Sequence, residues 1–133
     1  MTQALTTKLK ITSWEENPYR EFDDGRKFTR ADITLGEPGD ELSGASEMLL
    51  YYRADGTSSY VSLMHLTGRF HGRSGSLVLQ GHGTYDGTTA RGEFVVVPGS
   101  GTDELAGVTG TAESVSTHAD YPFMPLTLRY AVT

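Results

Sequence analysis

The sequence predicts an all-β protein, a closed barrel of eight antiparallel strands. Hydrophobic residues alternate with a period of two along the chain, and no segment keeps a 3.6-residue period over the length of a helix. The 16 glycines come with seven Tyr, five Phe and one Trp, a mixture typical of short strands joined by tight turns. The 133 residues fit a single domain, residues 1–133, whose core is large enough to need no external support.

Eight runs show this alternation, each bounded by Gly, Asp, Asn or Pro. They cover roughly residues 4–15, 27–36, 42–54, 57–70, 75–86, 89–97, 109–118 and 125–133. The stretch ENPYREFDDG, residues 16–25, is rich in turn formers and is predicted to be a loop. Because no linker or internal repeat divides the chain, eight antiparallel strands predict a closed barrel or a sandwich, of which we favour the barrel.

The first hairpin turn is predicted at Asp55-Gly56, the strongest short-range signal for a two-residue turn. Counting back from that turn places Tyr51 opposite Tyr60 and Glu47 opposite Met64. Tyr51 and Glu47 then share a face with the apolar residues of the next strand.

Two further turns extend this register. The second is predicted over residues 71–75 and places Leu66 opposite Gly81. The third, at Gly87-Thr88, places Gly81 opposite Phe94. The three registers agree on which face of the strands is buried.

The predicted inner face is mainly apolar and contains three glycines. Its members are Met64, Leu66, Phe70, Leu77, Leu79, Phe94 and Val96, together with Gly81, Gly83 and Gly92. Glycines leave room beside large residues, and Phe94 is expected to lie over Gly81. An eight-stranded barrel is either filled by side chains or holds one small ligand; the glycines favour a small cavity.

The candidate catalytic residue on this face is Glu47. Burial raises the pKa of a carboxyl group, and a group poised in this way can act as a general acid or base or hold a ligand hydroxyl. The residues predicted to line the ligand pocket are Tyr51, Tyr60, Met64, Leu66, Leu79, Gly81, Tyr85 and Phe94. Two alternatives stay open for Glu47: it is solvated at the rim of the barrel, or the register is off by one and it points outward.

The outer face of the third and fourth strands is predicted to be apolar. It would present Met48, Leu50, Tyr52, Val61 and Leu63. An exposed apolar patch of this size usually marks an interface, which favours a homo-oligomer. Cover from the 16–25 loop, or a different register, would explain the pattern equally well.

Composition excludes several classes of partner. The net charge is −6, and 11 basic residues are scattered among 17 acids, so neither nucleic acid nor an anionic membrane surface is expected to bind. No cysteine is present, which excludes disulfides and thiolate metal sites. The N-terminus lacks a signal-peptide core, and no apolar run approaches the length of a membrane span. A cytoplasmic protein is expected.

The motifs point to no cofactor or metal. VVVPGSGTDELAGVTG, residues 95–110, lacks the lysine of a phosphate loop and the glycine spacing of a dinucleotide fold. We interpret it as a reversal in which Thr102 caps one helical turn and Leu105 closes one mouth of the barrel. His65, His82 and Glu93 would lie in an outward row, where a solvated cross-strand pair is commoner than a metal site.

Several of these stretches resemble a known family. SWEENPY, DGTSSYVSL, GRSGSLVLQ, GTYDG and above all VVPGSGTDELAGVTG are similar to a bacterial family of small proteins of unknown function, grouped by shape with the allene oxide cyclase-like barrels. The resemblance implies an eight-stranded antiparallel barrel with a short cavity. Relatives of that shape include plant cyclases and dirigent proteins, which steer a reactive small molecule inside the barrel.

We therefore expect the barrel to bind a small, largely apolar molecule. If the protein is an enzyme, a cyclisation or isomerisation with Glu47 as acid–base group is expected, resting mostly on holding one reactive conformer. The rival hypothesis is a non-catalytic protein with a filled core that acts through its apolar outer face.

Overall fold

The computed structural model describes residues 2–37 and 39–133, and these form eight β-strands and one short 3-10 turn. The strands are β1 (Gln3–Glu21), β2 (Lys27–Leu35), β3 (Leu42–Tyr52), β4 (Ser58–Phe70), β5 (Arg73–Tyr85), β6 (Thr89–Val96), β7 (Thr109–Thr117) and β8 (Phe123–Ala131). Consecutive strands pair antiparallel, and β1 also pairs with β8, so the sheet closes in a ring. The predicted all-β antiparallel class with eight strands is confirmed.

The first strand is longer than the sequence predicts. Residues 3–10 pair with β8, whereas residues 11–21 pair with β2. The predicted loop at 16–25 is therefore wrong for residues 16–21, which belong to β1. Pro18 is a turn former and made this segment resemble a loop. Proline is tolerated here because residues 11–21 pair with β2 alone, and because Pro18 lies beside an irregularity in the register.

The β3–β4 hairpin corrects the predicted register by one residue. The Gly56 amide donates to the Arg53 carbonyl at 3.0 Å, and the Arg53 amide donates to the Thr57 carbonyl at 2.8 Å, so the loop has one residue more than predicted. Gly56 supplies the positive φ of +88° that this turn requires. A one-residue slip moves every side chain of a strand to the other face. Glu47 and Tyr51 consequently lie outside the ring.

The β4–β5 hairpin is tighter than predicted. His71 and Gly72 have φ of 51° and 80°, the signature of a two-residue type I′ turn rather than a five-residue turn. Leu66 therefore lies opposite Leu77 and not opposite Gly81. This shift is an even number of residues, so it leaves the predicted faces of both strands unchanged.

The apolar inner face has the predicted members. The third register is confirmed, with Gly81 opposite Phe94. All seven large residues predicted for this face are buried: Met64, Leu66, Phe70, Leu77, Leu79, Phe94 and Val96. They join the side chains of β1, β2, β7 and β8 in one core cluster inside the ring.

The two ends of the ring differ. At one end, which we call the Leu105 end, the inner side chains are fully buried beneath Leu105, which is 0 % exposed. At the other, the tyrosine end, the inner residues Tyr52, Tyr60 and Tyr85 are each only half-buried. The predicted closure of one mouth by Leu105 agrees with this placement.

The loop between β6 and β7 is held along the free edge of β5. Thr102 Oγ1 accepts the Ser76 amide at 3.0 Å, and Glu104 Oε1 accepts the Ser74 amide at 3.0 Å. Thr102 is the N-cap residue of the 3-10 turn, as predicted, but its side chain makes no capping hydrogen bond to that turn. The loop instead accepts hydrogen bonds from amides of β5 that lie beyond the end of its pairing with β6. These hydrogen bonds hold Leu105 over the ring.

Leu105→Ala should therefore destabilise the fold strongly. A buried Leu→Ala change costs about 2–5 kcal/mol when the surroundings do not collapse. Urea unfolding measures this loss, with Leu63→Ala as the matched control, because Leu63 is 53 % exposed on the outer face and should cost about 1 kcal/mol or less. Equal losses in the two variants would contradict the role of Leu105 as a plug.

Candidate functional site

The predicted catalytic residue does not face the interior. Glu47 is paired with Leu63 on the outer face, its side chain is 66 % exposed, and its carboxylate lies 3.4 Å from the Arg30 guanidinium. Tyr51 is also outside, with its ring centroid 5.1 Å from that of Phe28. The predicted inward position of both residues is wrong because the hairpin loop has one additional residue.

The other predicted pocket residues do lie on the inner face. Met64, Leu66, Leu79 and Phe94 are buried, while Tyr60, Gly81 and Tyr85 are half-buried. The Tyr85 hydroxyl donates to the Gly87 carbonyl at 2.8 Å, which fixes Tyr85 at the rim. Their role in binding a ligand remains a prediction.

Aromatic side chains fill the space beside two of the inner glycines, Gly81 and Gly92. A methyl group on Gly81 would collide with the Phe94 ring, and one on Gly92 would lie 2.6 Å from the Tyr60 hydroxyl oxygen. Two aromatic rings thus occupy the room that the sequence predicted for a cavity. Burial raises the pKa of Tyr60, so its hydroxyl stays protonated at neutral pH.

The structure places a different carboxylate on the inner face, Glu16 of β1. Its Oε2 accepts hydrogen bonds from the Thr29 hydroxyl at 2.7 Å and the Tyr52 hydroxyl at 2.5 Å. Its Oε1 accepts the Trp14 indole N–H at 2.9 Å. The residue opposite Glu16 is the small Ala31. We call Trp14, Glu16, Thr29 and Tyr52 the Glu16 cluster.

Hydrogen bonds keep Glu16 ionised. Burial favours its neutral form, but the donors Tyr52, Thr29 and Trp14, with the nearby Lys27 ammonium, outweigh burial and lower its pKa. Burial and the hydrogen bond to Glu16 raise the pKa of Tyr52. The pair is therefore a carboxylate and a phenol at neutral pH, well suited to binding and weak for proton transfer.

Sequence reasoning missed this cluster because it ended the first strand at residue 15. The alternation of Trp14, Glu16 and Pro18 on one face becomes visible only when β1 is continued past its register irregularity. The available signal was the pair Trp14 and Glu16, two side chains at strand spacing.

One further polar group on the inner face lacks a partner. The Ser62 hydroxyl is buried, the residue is 7 % exposed, and within residues 2–37 and 39–133 it has no hydrogen-bond partner. Buried polar groups are normally hydrogen-bonded. Ser62 lies opposite Met48 on one side and Gly81 on the other, so it offers a free hydrogen-bonding position inside the ring.

The outer face carries a groove of about 1000 Å³ that crosses the middle of several strands. Four aliphatic side chains in it are about half-exposed: Leu49, Val61, Leu63 and Val95. The predicted apolar outer patch therefore exists, but with different members: Met48, Leu50 and Tyr52 lie inside the ring, whereas Val61 and Leu63 lie outside as predicted.

The predicted outward row places His82 beside Glu93 on the surface. His82 Nε2 lies 3.8 Å from a Glu93 carboxylate oxygen, and both side chains are highly exposed. Among the residues the structure describes, no three His, Cys, Asp or Glu side chains are grouped so that they could hold a metal ion. Within the same residues, no helix is long and apolar enough to cross a membrane.

Comparison with known proteins identifies the family. The model of the DUF3224 family, proteins of unknown function, matches residues 5–130. The chain belongs to the DUF3224 family. A solved structure of a DUF3224 protein of unknown function from Shewanella oneidensis MR-1 is similar to it, with 26 % identity and a TM-score of 0.67 over 98 % of this chain and 99 % of that one. No curated protein matches significantly.

The Glu16 cluster predicts a specific dependence of stability on pH. The pKa of Glu16 is lowered in the folded protein from its usual 4.5, so the ionised carboxylate stabilises the fold above that value. This contribution is lost as the pH falls through the lowered pKa. The loss of unfolding free energy caused by Glu16→Gln should thus be larger near pH 7 than near pH 3.

Urea unfolding at the two pH values measures this difference. Glu15→Gln is the control, because Glu15 precedes Glu16, lies opposite Asp32 on the outer face and is exposed. It removes the same charge without touching the cluster. A pH-independent effect of Glu16→Gln, or an equal effect of Glu15→Gln, would contradict the assignment.

Proposed function

We propose that the protein binds a small, largely apolar molecule at the tyrosine end of the ring, and that the ring is a barrel of the allene oxide cyclase-like type. The observation that carries the proposal is the contrast between the two ends. The Leu105 end is sealed by a fully buried residue, while inner residues at the other end stay half-buried: Tyr52, Tyr60, Tyr85 and Met124. Such a mouth combines apolar walls with a few polar groups.

The site lies towards the mouth rather than in the middle of the ring. Phe94 and Tyr60 occupy the space above Gly81 and Gly92, so deeper entry requires these rings to move. The polar groups available to a ligand are the Glu16 carboxylate at the mouth and the unpartnered Ser62 hydroxyl further in. Trp14, with 45 % of its surface exposed, adds an aromatic wall.

Any reaction at this site would rest on confinement more than on acid–base chemistry. Glu47 is outside, and the lowered pKa of Glu16 makes it a weak base. Holding one conformer of a flexible molecule is the contribution that an apolar mouth with fixed hydrogen-bond partners supplies to a cyclisation or isomerisation.

A second candidate function is favoured by the outer groove. Its half-exposed aliphatic side chains are flanked by charges of both signs, with Arg30 near Glu47 and Arg129 near Glu113. A face of mixed charge around an apolar centre can meet a second copy of itself. This function predicts a dimer that Leu63→Lys converts to a monomer in light scattering.

Nile red, a neutral environment-sensitive dye, distinguishes the two functions with a matched pair of variants. Met124→Lys places an ammonium group at the tyrosine end, and Leu63→Lys places the same group in the outer groove. We expect the wild type to bind the dye, Met124→Lys to lose at least about tenfold in affinity, and Leu63→Lys to bind as the wild type does. Thermal melts confirm that both variants fold.

A wild type that leaves the dye fluorescence unchanged contradicts binding at the tyrosine end. A loss of binding in Leu63→Lys with full binding in Met124→Lys assigns the dye to the outer groove and contradicts the proposal as well.

A further inference from the structure

Glu16 has hydrogen-bonding capacity that the protein does not use. A carboxylate oxygen can accept two hydrogen bonds. Oε2 accepts from both Thr29 and Tyr52, whereas Oε1 accepts only from Trp14 within the described residues. Trp14 is 45 % exposed and Glu16 is itself half-buried, so the cluster is in contact with solvent at the tyrosine end. One more donor can therefore bind Glu16 from the mouth of the ring.

The charge of Glu16 is only partly balanced. Lys27 is the nearby cation, but its Nζ lies over the Tyr52 ring, 5.0 Å from the centroid, and among the described contacts it makes no hydrogen bond to Glu16. An anionic group entering the mouth would meet a carboxylate whose own partners are neutral O–H and N–H groups. A cationic or neutral donor would gain a charge-assisted hydrogen bond there.

The position of the charge sets how a ligand is oriented. Glu16 lies at the tyrosine end, while the inner face below it is lined by apolar side chains such as Met48, which is in the same cross-strand row. A molecule with one polar group would place that group beside Glu16 and its apolar body along the wall of the ring. The same arrangement repels a fatty acid, whose carboxylate would occupy the head-group position.

We propose that Glu16 is a specificity-determining residue that selects an apolar molecule carrying an amine or hydroxyl head group and rejects the corresponding carboxylate. This inference rests on the proposed function, because it assigns the head group of the molecule bound at the tyrosine end. Glu16 acts here by binding, and no proton transfer is required.

Three probes of equal chain length test the inference: octylammonium, 1-octanol and octanoate. Isothermal titration, below the micelle concentrations of the two ions and the solubility limit of 1-octanol, should show octylammonium binding most tightly and 1-octanol less tightly. Octanoate should bind at least about tenfold more weakly than octylammonium. Fluorescence of Trp14, the single tryptophan, gives a second readout at the site itself.

Glu16→Gln should bring the three affinities together, because glutamine keeps an acceptor and a similar shape but loses the charge. Glu15→Gln makes the same change in net charge on the outer face, and should keep the wild-type order. This control separates Glu16 from the general attraction of a protein of net charge −6 for cations. A thermal melt of each variant verifies that it folds. If Glu16→Gln unfolds, Glu16→Asp replaces it as the test: it keeps the charge and should retain the wild-type order of the three affinities.

Failure of the inference and failure of the proposed function give different results. If none of the three probes binds the wild type, the proposed function is wrong. If octanoate binds as tightly as octylammonium, or if Glu16→Gln leaves the order intact, binding stands but Glu16 does not select the head group.

Discussion

The structure depends on the pairing of β1 with both β8 and β2. This one strand of 19 residues joins the two ends of an eight-stranded sheet, so the ring has no continuous free edge to protect. Residues 3–10 close the ring, and the remaining half of β1 continues beside β2 alone. That continuation carries Trp14 and Glu16, so the closure of the sheet and the composition of its tyrosine end follow from the same strand.

Much of the fold could be predicted from alternation, because burial of one face dictates which residues point inward. The inner face of β4, β5 and β6 was predicted correctly even where the β4–β5 register was not, since a shift by an even number of residues preserves the faces. The face of β3 was not predictable in the same way. It depended on whether the loop before Thr57 has two residues or three, and Asp55-Gly56 is compatible with both.

The candidate site was the least predictable part because it depends on contacts between strands that are not adjacent. Glu16 of β1 binds Tyr52 of β3 across β2, whose Thr29 donates to the same carboxylate oxygen, a relation that no local pattern contains. Likewise, the sequence correctly predicted that Phe94 lies over Gly81, but not that Tyr60 covers Gly92 and fills the remaining space. The candidate site is therefore the mouth of the ring beside Glu16, and not a deep cavity beside Glu47.

The most direct test of entry at the tyrosine end is the NMR response of methionine methyl groups to 1-octanol. Met48 and Met124 are half-buried inner residues near the mouth, whereas Met64 is buried deeper, opposite Leu79. We expect saturating 1-octanol to shift the Met48 and Met124 methyl signals and to change the Met64 methyl signal least. Unchanged Met48 and Met124 signals, with shifts confined to the outer Leu63 and Val61 methyls, would contradict it.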